Sequence, residues 1–177
     1  MAWPSSADLI FPENGLLASE ARKLGYKNVV LCYDAKTRPQ KVADAIIAWL
    51  AGTQQDVARL RKEGGLVLAP ARREFFEDKR VDAIIGIGLE RRPDSLHYRR
   101  SLTQVEARLA AANGTTVLFV FADLLASRDS AQLLGRWRQD VKVLRKAKAP
   151  FAIVSGARDW AGLRSRKDLE LFLKMLY

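Results

Sequence analysis

Along the chain, short apolar runs rich in β-branched residues alternate with longer stretches in which apolar residues return every three or four positions. This is the pattern of βα units around a parallel sheet, whose strands are buried on both faces and therefore read as near-continuous hydrophobic runs. It predicts strands near Ala7 to Phe11, Asn28 to Tyr33, Leu66 to Ala69, Ala83 to Leu89, Thr115 to Phe121 and Phe151 to Val154. A first helix is predicted from Glu13 to Leu24, stopping at Gly25, and a long or broken one between Pro39 and Glu63 with its break at Gly52. Between Ser101 and Asn113 the residues Leu102, Val105, Leu109 and Ala112 recur at helical spacing, with Ser101 and Gln104 as a capping box and Gly114 as the stop. Leu134, Trp137, Val141 and Leu144 mark a helix from Ser130 to Lys148. Leu169, Phe172, Leu173 and Leu176 mark the last, opened by Ser165 with Asp168 three residues on.

No internal repeat, low-complexity stretch or Gly/Ser linker interrupts the pattern, so residues 1–177 read as one α/β domain, long enough to bury a core. The single cysteine, Cys32, lies inside the apolar run "NVVLCY", where a thiol packs as a small hydrophobe; an intrachain disulfide is excluded. The amino-terminal stretch lacks a charged region followed by a long apolar one, and no run approaches the ~18 apolar residues of a membrane span. A cytoplasmic protein without membrane partners is expected.

Charge changes the picture more than composition does. The formal net charge is +10 and the pI about 10, which points to an acidic polymer or surface as partner. Residues 1–90 hold 13 Lys/Arg against 12 Asp/Glu, whereas residues 91–177 hold 17 against 8. The excess belongs to the second half, which favours a localised binding face over a generally basic, solvated surface. If the strands close into a barrel, the loops after their carboxyl ends share one rim. Those loops carry Lys36 and Arg38, Arg72 and Arg73, Arg91 and Arg92, Arg128, and Arg158. On the helix from Ser130, Arg138, Lys142, Arg145 and Lys146 cluster beside the apolar stripe, a density suited to phosphate contacts without base readout. Trp137 and Trp160 are read as packing residues rather than base-stacking platforms.

Catalytic constellations are hard to find. A hydrolytic metal site needs several His, Cys, Asp or Glu ligands, and the only histidine, His97, sits in "RRPDSLHYRR", as an exposed loop residue or a phosphate donor. A carboxylate-only site from Asp8, Asp34, Asp82, Glu90 and Asp123 is not required by their spacing. Ser155-Gly156 is no nucleophile elbow, and the phosphate-loop signature is absent. Gly86 and Gly88 in "IIGIGLE" read as a strand that approaches another backbone closely. Neither catalytic nor metal-ligating residues are assigned.

"YRRSLTQVEARLAAANGTTVLFVFADLLAS", followed by a basic helix and then "PFAIVSGARDWAGLRSRKDLELFLKML", resembles the ribonuclease P protein component 3 family, the archaeal counterpart of a eukaryotic ribonuclease P and MRP subunit. The similarity runs from "ADLIFPENG" onward and is sharpest between Tyr98 and Leu176. The stretches that carry it are Arg99 to Ser101, Ser155 to Ala157 and Leu163 to Leu169. Arg166 stands where the family usually has proline, at a first helical position that tolerates ordinary residues. The chain ends at Tyr177, where family members continue through a further short segment, so an incomplete TIM-like barrel is expected rather than a full eight-strand one.

The resemblance implies a subunit of an RNA-based endonuclease that removes the 5′ leader of precursor tRNA. In that setting the RNA carries the chemistry with Mg²⁺, while the protein binds no cofactor of its own and the isolated chain is not catalytic. Implied partners are ribonuclease P RNA, precursor tRNA, the other ribonuclease P proteins and above all component 2, with a heterotetramer of two copies of each as one stoichiometry. RNA-contacting residues are then Arg91, Arg92, His97, Arg99, Arg100, Arg138, Lys142, Arg145, Lys146, Arg158 and Arg164, while Ser155, Gly156 and Ala157 form a structural turn beneath the last two. In a blander reading Arg158 and Arg164 pair with Asp159 and Asp168. Two other functions compete: a metal-dependent TIM-like phosphoesterase or hydrolase of the histidinol-phosphatase-type barrel class, and a scaffold that binds an acidic protein.

Overall fold

The computed structural model describes residues 3–11, 17–37, 39, 42, 44–89 and 101–177. Seven strands follow the chain: β1 (Ala7–Ile10), β2 (Asn28–Asp34), β3 (Ala45–Leu50), β4 (Leu66–Pro70), β5 (Ala83–Ile85), β6 (Thr116–Val120) and β7 (Phe151–Val154). Between and after them lie α1 (Leu17–Lys23), α2 (Gln54–Glu63), α3 (Arg73–Glu77), α4 (Gln104–Asn113), α5 (Phe121–Ala126), α6 (Ser130–Ala147) and α7 (Arg166–Met175). Each strand pairs in parallel with the next, in the order β1 to β7. A parallel bridge from Ile10 to Ala157, just beyond β7, brings the two edges together, so the sheet is a nearly closed barrel with helices outside it. This is the incomplete TIM-like α/β fold that the sequence predicts, with one strand more.

The additional strand is β3. Its residues, Ala45, Ile46, Ile47, Ala48, Trp49 and Leu50, lie inside the segment predicted as a long helix, because a short run of Ala, Ile and Leu satisfies either period. Tertiary context decides: β2 pairs with it from Val29 to Asp34, β4 pairs on its other side, and the Trp49 indole N–H donates to the Gly64 carbonyl at 2.8 Å. The helix that follows starts only at Gln54, behind a capping box of Thr53 and Asp56. Because the loop after β3 contains no lysine or arginine, the expected run of one cation in every loop of the rim is broken.

Period-2 alternation sorts the strand residues into two cores. Leu9, Val30, Cys32, Leu68, Leu118 and Val154 fill the barrel, while Ile10, Leu31, Val67, Ile84, Phe119 and Ile153 face the helices. Burial inside the barrel pushes the Cys32 thiol up to about 12, so it packs as an inert apolar group. Strand β5 stops at Ile85, short of the predicted Leu89. Gly86 and Gly88 then take φ of 74° and 87°, a turn rather than a strand. A Cβ on Gly88 would stand 2.6 Å from Leu133 Cδ1, and the Arg136 guanidinium and Trp137 indole of α6 donate to the carbonyls of Gly88 and Ile87. Among the described residues, no helix is long and apolar enough to cross a membrane.

Candidate nucleic-acid interface

The seam between β7 and β1 builds the mouth of the barrel. Asp8 on β1 is fully buried and accepts from the Ser155 backbone N–H and hydroxyl, both at 2.6 Å, and from Leu9 N at 3.0 Å. Burial pushes the Asp8 carboxyl up to about 6, against the lowering effect of these donors. Gly156 then turns at φ 66° and donates to the Leu9 carbonyl at 3.0 Å, and Phe11 N donates to the Ala157 carbonyl at 2.9 Å. The Ser155 to Ala157 stretch thus stitches the barrel edges together and sends Arg158 out at the carboxyl end.

A cavity of about 490 Å³ opens there, with Phe11, Ile85, Val120, Asp123 and Arg158 among its walls. Arg158 is exposed, with its guanidinium 5.3 Å from the centre of the Phe11 ring. Burial pushes the Asp123 carboxyl up to about 6, with Arg158 opposing the shift. Arg164 is half-buried: its guanidinium donates to the carbonyls of Ala161 and Leu163, both at 2.7 Å, and lies 5.8 Å from the centre of the Phe121 ring. Among the described residues neither arginine forms an ion pair with Asp159 or Asp168. Asp159 instead accepts from Gly162 N at 2.8 Å, and Asp168 N donates to the Ser165 hydroxyl at 3.1 Å. Arg164 therefore holds its own loop, and Arg158 is the arginine of the pair that reaches solvent. The neighbouring Trp160, expected to pack, is 78% exposed. Trp137, by contrast, lies in the core with its ring edge-on to Phe119.

Helix α6 has two characters. Leu133, Arg136, Trp137, Asp140, Val141 and Leu144 are buried, Leu134 is half-buried, and Arg138, Lys142, Arg145 and Lys146 are exposed. Arg145 lies 4.6 Å from the centre of the Tyr177 ring, which in turn meets Phe151 at the start of β7. The basic strip therefore runs along the outer layer towards the end of the barrel opposite the mouth, and Arg158 does not share its surface with Arg145. Arg91, Arg92, His97, Arg99 and Arg100 lie outside the described residues.

Asp140 anchors the segment that enters α4. It is fully buried and accepts from Ser101 N at 3.1 Å, Leu102 N at 2.9 Å and the Ser101 hydroxyl. With Ser101 occupied in this way, the capping box of α4 forms two residues later than predicted, between Thr103 and Glu106. Burial pushes Asp140 up to about 6. A folded-state value above the ordinary carboxylate value makes the wild type gain stability as pH falls through about 6. Asp140→Asn preserves an acceptor for both backbone donors but does not titrate. It should be at least as stable as wild type in urea titrations at pH 8 and should lose ground to it at pH 5; a gap that stays constant with pH would contradict the assigned shift.

Of the carboxylates considered for a metal, Asp8 is committed to the seam, and Asp82 accepts from Arg61 at 2.7 Å and Val67 N at 2.9 Å. Among the described residues no three His, Cys, Asp or Glu side chains come together as metal ligands.

No protein-family model matches the chain. It is 28% identical over 105 residues to Ribonuclease P protein component 3 of Methanococcus maripaludis strain C5, which covers 58% of this chain and 46% of that protein. To the protein of the same name from strain C7 it is 29% identical over 98 residues, 54% of this chain and 42% of the relative. The chain thus spans less than half the length of the curated relatives it matches. Its fold superposes with a TM-score of 0.78 on a chain of a cryo-EM structure of archaeal Ribonuclease P with mature tRNA, at 18% identity, covering 96% of this chain and 82% of that one. By sequence over about half its length the chain resembles ribonuclease P protein component 3, and by fold over nearly all of it a chain of that archaeal Ribonuclease P structure.

Proposed function

We propose that the protein is a subunit of ribonuclease P, which binds and supports the RNA that removes the 5′ leader of precursor tRNA. The observation that carries this reading is the match in sequence to component 3 together with an exposed basic strip on α6. Phosphate contacts from such a strip set affinity and position without sequence preference, which suits a chain that holds an RNA rather than reading it. In this reading Mg²⁺ serves the RNA, and the protein pairs with component 2 within the complex. The isolated chain, supplied with Mg²⁺, Mn²⁺ or Zn²⁺, should leave precursor tRNA uncut.

Reconstitution of precursor tRNA cleavage from the cognate RNA and the remaining subunits, with and without this chain, tests the proposal. Cleavage should depend on the chain, and cleavage indifferent to it would remove the basis for the reading. Arg158→Ala should lower the chain's contribution and flatten its salt dependence by roughly one unit of slope per lost phosphate contact. Arg22 and Arg59 are poor controls, because their side chains donate to the Asp44 and Ala35 carbonyls and so hold loops in place. Lys62→Ala, at an exposed position of α2, is the better one and should change little.

A further inference from the structure

Helices α4 and α6 pack side by side on the outside of the barrel, and between their exposed edges runs a groove of about 230 Å³. Its walls carry Arg108 and Gln104 from α4 and Gln139, Lys142 and Lys146 from α6, over a floor that includes Val143 and Ala147. Three cations and two amides thus converge on one concave surface, and no carboxylate is among the residues that line it.

The acidic residues of the two helices are turned away from this groove and already committed. Glu106 is buried and accepts from Thr103 N and the Thr103 hydroxyl, each at 2.7 Å, and Asp140 is buried on Ser101 and Leu102. Elsewhere the chain pairs its surface cations with neighbouring acids, as in Lys23 with Glu20, Arg73 with Glu77, Arg80 with Asp78 and Arg166 with Glu170. Among the described residues, no carboxylate lies within ion-pair distance of Arg108, Lys142 or Lys146. On α6, Arg138, Lys142 and Lys146 follow one another at four-residue intervals, an arrangement of like charges that destabilises an isolated helix. A helix that accepts this repulsion and withholds its own acids leaves the compensation to an external anion.

We propose that the α4–α6 groove seats the phosphodiester backbone of RNA. Arg108 offers a planar fork to phosphate oxygens, Lys142 and Lys146 supply point charges, and the amides of Gln104 and Gln139 donate hydrogen bonds without adding charge. Arg138, exposed on α6 but not among the residues that line the groove, extends the row of Lys142 and Lys146 to roughly 12 Å at 1.5 Å per residue, a length suited to successive phosphates rather than to one small anion. The inference rests on the reading above only for RNA as the occupant. It adds Arg108, Gln104 and Gln139 to the interface and separates it from the barrel mouth.

The test is direct binding of the full chain to a fluorescein-labelled poly(U) 20-mer, measured by anisotropy across a salt series, with labelled polyglutamate as a second probe. Wild type should bind the RNA. Arg108→Ala should weaken binding severalfold and lower the salt slope by about 0.7 unit, and Arg108→Ala with Lys142→Ala and Lys146→Ala should lower it by about two. Lys27→Ala with Lys62→Ala should match wild type. All these side chains are exposed, so thermal melts should coincide. Undetectable RNA binding by wild type would overturn the proposal, as would groove variants with unchanged RNA affinity and slope. Loss of polyglutamate binding alone would assign the groove to an acidic protein instead. Precursor tRNA cleavage is scored separately, so RNA binding by the groove without stimulation of cleavage would refute the ribonuclease P reading and leave this one standing.

Discussion

Gly156→Ala should destabilise the protein by about 2–5 kcal/mol, the sum of a left-handed backbone imposed on a residue with a Cβ and of overpacking at the seam. Gly156 has φ 66°, and a Cβ there would stand 2.2 Å from Val120 Cγ1 and 3.4 Å from the Ala122 Cβ. Val120 ends β6 and packs inside the barrel, so it cannot retreat without opening the core that closes on β7. Urea titration should show the loss as a lower midpoint. Adding Val120→Ala should recover the overpacking part of it and leave the backbone strain, although the shortened Val120 introduces a cavity of its own. A Gly156→Ala midpoint equal to wild type would mean that the seam is not held as described. Arg158, two residues on, leaves the barrel by this turn, so the variant should also impair any function that depends on that arginine.

The second large effect is expected at the other side of the same seam. Asp8→Ala removes the acceptor for the Ser155 N–H and hydroxyl, both buried, and for Leu9 N. Each donor left unsatisfied costs about 1–3 kcal/mol, partly offset by relief of the buried carboxylate, so a net loss of about 2–4 kcal/mol is expected. Asp8→Asn retains an oxygen to accept and should lose much less. If alanine and asparagine variants unfold at the same urea concentration, the hydrogen bonds to Ser155 contribute little and closure rests on the backbone pairing alone. Hydrogen exchange would localise the damage: amides of β1 and β7 should lose protection in Asp8→Ala before those of β3 and β4.

Much of this architecture was legible because it is written at short range. A parallel strand buried on both faces is a continuous apolar run, and an outer helix is a 3.6-period stripe; both survive in isolation from the rest of the chain. The cap of α7 at Ser165 needs only residues within one turn, and its hydroxyl does accept from Asp168 N. The concentration of positive charge after residue 90 and the solvent-facing cations of α6 also follow from the sequence, the first from counting and the second from the wheel.

Other features depend on which segments become neighbours, and no local pattern states that. The run from Ala45 to Leu50 is a strand because β2 and β4 offer ladders on both sides of it. Ser101 fails to cap α4 because Asp140, distant in sequence, takes its hydroxyl and N–H. Arg164 binds the carbonyls of its own loop, and Trp160 stands exposed, although composition treats Arg158 and Arg164 alike and groups Trp160 with Trp137. Asp8 looks like a stray acid in a strand until the barrel closes and sets it against Ser155. Arg108 is one polar position on a helix until α6 lies beside it. The amino-acid sequence by itself determined the alternation of strand and helix and the excess of positive charge in the second half. Tertiary structure decided the closure of the barrel, the groove and the arginine that reaches solvent, because each depends on contacts between residues far apart in the chain, whose pairing only the packed barrel selects.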